Sequence, residues 1–134
     1  MENFKFNFLN NYASHGQNVE QSIRYTLTGK IEKADNKPFT EGADCLCYQI
    51  KSARATICKG KTARDLERHL DLDKATAYIY GAKDGTAYVM NRQTYTAFVK
   101  AFGTVTVDSA KNGGSAKIRL KHETAEMIKW LETH

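Results

Sequence analysis

The sequence predicts an α+β fold: one domain over residues 1–134, with a mixed β-sheet flanked by helices. Three observations point to it. Apolar residues recur at helical spacing in several separate segments. Other stretches alternate as strands around turn signals. A single proline, Pro38, and no low-complexity tract leave nothing to divide the 134 residues into two units.

The first helix is expected over residues 16–31, where Val19, Ile23, Leu27 and Ile31 recur every four residues on one face. Glu20 and Arg24 lie beside that stripe. A polar loop, Lys33 to Gly42, follows and holds Asp35, Asn36 and Pro38. Residues 43–58 are rich in β-formers and read as one or two strands. Thr62 is placed to cap a short helix carrying Leu66 and Leu70. Thr76–Tyr80 and Thr86–Met90 read as two arms of a hairpin around Lys83-Asp84-Gly85. Asn91 is the expected N-cap of a helix bearing Tyr95, Phe98, Val99 and Phe102, and Gly103 ends it. Thr104–Asp108 and Ala116–Leu120 are strands joined through Asn112-Gly113-Gly114. A last helix runs from His122 to about Thr133, with Ala125, Ile128 and Leu131 directed inward.

Composition narrows the function classes. Hydrophobic residues at 41% and charged residues at 26% are ordinary globular usage. No apolar run approaches membrane-spanning length, and MENFKFNFLNNY lacks the basic and apolar regions of a secretory signal. Three cysteines are too few for a disulfide scaffold, so a reducing, cytoplasmic location is expected. Cys45 and Cys47 share a strand face, but without a C-x-x-C pair or clustered His they read as buried thiols rather than zinc ligands. Tyr78, Tyr80 and Tyr88 are of a kind that stacks on bases, although alternating tyrosines on a hairpin more often pack within a sheet. The formal net charge of +5 suits a polyanionic partner.

The segment Gly42-Ala43-Asp44-Cys45-Leu46-Cys47-Tyr48-Gln49-Ile50-Lys51 carries the chemistry. Gln49 and Lys51 project from the same face of a strand. Asp44 and the Gln49 carbonyl are candidate oxygen ligands for a divalent cation, and Lys51 is placed to serve an attacking water. Glu20 is the candidate for a further carboxylate. This pattern resembles the PD-(D/E)XK nuclease superfamily, the fold of many restriction endonucleases. Glu20 matches the family's helical Glu, Asp44 its metal-binding Asp, and Gln49-Ile50-Lys51 its (D/E)-x-K element. The likeness covers residues 16–60, and the rest follows only in element order. Gln49 stands where the family has an acid, and only four residues separate it from Asp44, so Asp35 or Glu41 is an alternative acid. The resemblance implies a restriction endonuclease-like fold and an Mg²⁺- or Mn²⁺-dependent deoxyribonuclease, with Lys51, Gln49, Asp44 and Glu20 catalytic.

Basic residues supply the binding half. Ser52 and Arg54 directly follow Lys51 as candidate phosphate contacts. Lys117, Arg119 and Lys121 alternate on one strand face, and Lys111 and Asn112 lie in the glycine-containing loop before it. DNA is the expected partner, cut or bound with help from a homodimer or a protein partner. The alternative to an enzyme is a non-catalytic module from a phage or mobile element that binds nucleic acid or inhibits a host defence protein.

Overall fold

Two sheets share the chain. The computed structural model describes residues 1–29, 48–73, 75, 77–107 and 116–134. In chain order the elements are β1 (Glu2–Lys5), α1 (His15–Thr28), β2 (Tyr48–Lys51), β3 (Thr56–Lys59), α2 (Ala63–Leu72), β4 (Ala77–Gly81), β5 (Thr86–Met90), α3 (Arg92–Phe102), β6 (Gly103–Val107), β7 (Ala116–Leu120) and α4 (Ala125–Thr133). The α+β class stands. The single mixed sheet expected from the sequence resolves into a mixed four-stranded sheet, β1-β5-β4-β2, and an antiparallel three-stranded sheet, β3-β7-β6.

Local chemistry sets most boundaries. Ser14, Thr62, Asn91 and Thr124 each cap a helix with a side-chain oxygen that accepts from a first-turn N–H, a contribution of about 1 kcal/mol each. Gly29 closes α1 in the left-handed region at φ 70°. The final helix starts at Ala125 rather than His122, because Thr124 provides the cap. Its buried residues are Met127 and Leu131; Ile128 is half-buried and Ala125 exposed. Strand β1 was not expected, although Phe4, Phe6 and Phe8 recur with period two.

The β2–β4 pair is parallel, which requires a crossover. Residues 52–76 supply it, and β3 leaves for the second sheet on the way. Register then sorts side chains by face. Ile50, Ile79 and Val89 align across β2, β4 and β5, and α1 packs Val19 and Ile23 against that side. Gly81 allows the close approach: a Cβ there would lie 2.4 Å from Val19 Cγ1 and 2.9 Å from Ile23 Cδ1. The opposite face carries Gln49, Lys51, Tyr78, Tyr80 and Tyr88. The three tyrosines are buried in the core against the second sheet and α3, so they pack rather than present a stacking surface. Tyr78 stacks on Tyr95 with ring centroids 4.1 Å apart, and Tyr80 meets Phe98 edge-on at 5.4 Å. Tyr80 Oη donates to Glu123 Oε1 at 3.0 Å, and the Lys83 N–H donates to the same oxygen at 3.1 Å, tying the approach to α4 onto the β4–β5 turn.

Gly81→Ala is expected to destabilise the fold by about 1–3 kcal/mol, because the added methyl overpacks the α1–β4 contact. Urea unfolding of the variant beside the wild type measures this.

Candidate nucleic-acid interface

Strand alternation places Gln49 and Lys51 on the side of β2 away from α1. Both line a cleft of about 700 Å³ between β2, β3 and α2, together with Ile57, Cys58, His69 and Asp73. Gln49 is 1% exposed and Lys51 half-buried. A bulge between Thr56 and Cys58 breaks the alternation of β3, so that both Ile57 and Cys58 turn inward. Burial, then the carboxylate of Asp65, raises the Cys58 thiol above its ordinary range. That keeps it protonated and unreactive at neutral pH. Burial, then the Lys51 charge, lowers the His69 imidazole, against a smaller opposing influence from Asp73.

The acids around this cleft are committed to the backbone. Gly60, at φ 143°, brings the chain from β3 onto the Asp65 side chain at the start of α2. Asp65 Oδ2 accepts from Lys61 N at 3.1 Å, Thr62 N at 3.0 Å and Thr62 Oγ1 at 2.8 Å, forming a capping box with Thr62. Asp65 Oδ1 accepts from Arg68 at 2.7 Å. The Thr62 hydrogen bonds hold the Asp65 carboxyl below the usual range. Asp73 Oδ1 accepts from Ala75 N at 2.9 Å. Magnesium demands a nearly complete shell of oxygens, several of them carboxylate or water. Among the described residues no group of three or more His, Cys, Asp or Glu converges to hold a metal ion, so these residues do not by themselves fit that ion.

The sequence-predicted residues separate accordingly. Gln49 and Lys51 come together in the cleft. Glu20 does not join them. It sits on α1, which packs on the other face of the sheet, and its carboxylate lies 3.7 Å from Arg24. Asp44, Lys111 and Asn112, with Asp35 and Glu41, lie outside the described residues, as do Cys45 and Cys47. Ser52 is buried beside the first turn of α1, with its Oγ 3.9 Å from where a Gly16 Cβ would stand, and so is turned away from solvent phosphate.

Arg54 is exposed in the connector between β2 and β3, and its N–H donates to Lys121 O at 3.3 Å. Its φ of 63° is left-handed, the only such non-glycine among the described residues, a conformation that costs roughly 1–2 kcal/mol for a residue with a Cβ.

The second sheet brings Lys59 of β3 beside the basic residues of β7. Strands β3 and β7 pair antiparallel with Thr56 opposite Arg119 and Lys59 opposite Lys117. The β7 residues Ala116, Ile118 and Leu120 point inward, which leaves Lys117 and Arg119 on the outer face. Arg119 Nε donates to Thr56 Oγ1 at 3.2 Å. On the other flank β6 sets Thr104 beside Arg119 and Thr106 beside Lys117. The outer face therefore carries Lys59, Lys117 and Arg119 among threonine hydroxyls. Lys59 is one of six Lys and Arg residues between Gln49 and Arg68 in the sequence, but its place opposite Lys117, like that of His69 near Lys51, arises only from contacts between distant segments. No helix among the described residues is long and apolar enough to cross a membrane. No protein-family description, curated protein or solved structure matches the chain.

His69 gives the fold an acid dependence. Its folded-state proton affinity is below that of the unfolded chain, so the unfolded state binds the extra proton first. Stability attributable to it is complete above the unfolded value of 6.5 and falls as pH drops below it. Melting temperatures between pH 7.5 and 5 are expected to decline less steeply in His69→Gln than in the wild type.

Proposed function

We propose that this protein binds the phosphate backbone of DNA on the outer face of the β3-β7-β6 sheet. The observation that carries the reading is the β3–β7 register, which sets Lys59 directly opposite Lys117 and adds Arg119 to the same face. A phosphate bound by these cations releases counterions. Thr56, Thr104 and Thr106 supply neutral hydroxyls around the cations. Arg54 extends the cationic surface from the connector, which the Arg54–Lys121 backbone hydrogen bond holds against the end of β7. Backbone binding of this kind is salt-sensitive and largely indifferent to sequence.

A second reading, phosphodiester hydrolysis with Mg²⁺ or Mn²⁺, draws on the convergence of Gln49 and Lys51 in one cleft. Metal-dependent nicking of supercoiled DNA by the wild type that disappears in Lys51→Ala supports it. Binding that survives both chelation and Lys51→Ala, without nicking, supports a non-catalytic module.

Fluorescence anisotropy with a short duplex tests the binding face. Four phosphate contacts give a slope of about −4 in log K against log salt. Lys117→Ala and Arg119→Ala are each expected to flatten it by about one unit and to weaken binding at low salt. Arg54→Gly is expected to do the same while leaving the melting temperature unchanged or raised, because glycine accepts the left-handed backbone without strain. Absence of any salt-dependent anisotropy change at low salt overturns the proposal.

A further inference from the structure

Among the described residues each sheet has two edges, and four strands occupy them: β1 and β2 in one, β3 and β6 in the other. An open edge offers unpaired N–H and C=O groups to any second strand, and proteins blunt such edges with charges, bulges or proline. Three of these four are blunted. Strand β1 carries Glu2 and Lys5, β2 carries Lys51, and β3 carries Lys59 and a bulge. Strand β6, Gly103-Thr104-Val105-Thr106-Val107, has no charge, no proline and no bulge. Among the described residues its only strand partner is β7. Val105 is 47% exposed and Val107 69% exposed, on the face that in β7 carries the buried Ile118 and Ala116.

We infer that β6 is a self-association edge that pairs antiparallel with β6 of a second copy of this chain. Antiparallel pairing about a two-fold axis is self-complementary for any strand, since each copy offers the same edge. With the axis at Val105, Thr104 faces Thr106 of the second copy, and the valines of both copies lie side by side on one face. No like charges meet, because β6 carries none. The alternation Thr-Val-Thr-Val is β-branched throughout and suits cross-strand packing. The result is a continuous six-stranded sheet, β3-β7-β6 joined to β6-β7-β3. Its two β7 strands lie three strand spacings apart, about 14 Å. The outer-face rows of Lys117 and Arg119 then lie on one surface, although the inference does not depend on what that surface binds. Five residues a side bury less than a standard interface of about 1,600 Å², so the dimer is weak and forms with rising concentration.

Sedimentation velocity of the full chain from 1 to 500 µM, without DNA, tests this. The expected result is a monomer–dimer equilibrium approaching twice the chain mass, with Val105→Lys and Val107→Lys each raising the dissociation constant at least tenfold. Circular dichroism checks that both variants fold. Amide hydrogen exchange on the wild type keeps the test intact if either variant does not: β6 amides that do not bond to β7 are expected to exchange more slowly as concentration rises. A monomer throughout the range, a dimer unmoved by both folded variants, or concentration-independent exchange of β6 overturns the inference. Because DNA is absent, the outcome is separable from that of the binding proposal.

Discussion

The chain crosses from one sheet to the other in four residues, Ser52 to Ala55, and the remaining architecture hangs on that crossing. Strand β2 has to end at Lys51 so that β3 can begin at Thr56 in a different sheet. The backbone achieves this with a turn in which Ala55 N–H donates to Ser52 O, and with Arg54 in the left-handed region. Bonds from Arg54 N to Lys121 O and from Leu120 N to Ala55 O fasten the connector to β7. The cleft between β2, β3 and α2 exists because the strands diverge here. The basic outer face exists because β3, once released, pairs with β7.

The two polar regions differ in character. Within the cleft, Lys51 is half-buried beside a neutral His69 and a protonated Cys58, and the nearby carboxylates serve backbone N–H groups. That arrangement stabilises the start of α2 and the chain leading into β4. On the outer face of the second sheet, cations stand among threonines, with inward-pointing aliphatic residues beneath them. The second region lies at the surface, outside the core. Gln49, sealed at the floor of the cleft, is the less accessible of the two candidate site residues on β2.

Features encoded within a few residues were legible in the sequence. The Thr62 and Asn91 caps, the Lys83-Asp84-Gly85 turn, the α3 stripe of Tyr95, Phe98, Val99 and Phe102, and the β6–β7 pair all follow from local spacing. The inward face of Ala116, Ile118 and Leu120, and hence the outward face of Lys117 and Arg119, followed from period-two alternation. What depends on non-local pairing did not emerge. The division into two sheets, the Lys59–Lys117 opposition and the placement of His69 beside Lys51 are set by contacts between distant segments. Glu20 illustrates the same limit. Its place beside the Val19–Ile23 stripe was evident, but the face of the sheet on which that stripe docks was fixed by the β2–β4 register.

Backbone amide chemical shifts during a low-salt titration with a short DNA duplex test the central claim most directly. The account predicts the largest, salt-reversible changes on β3, β7 and the Arg54 connector, with α1, β1 and β5 unmoved. Changes confined to the α1 face of the four-stranded sheet, or none at all, contradict it.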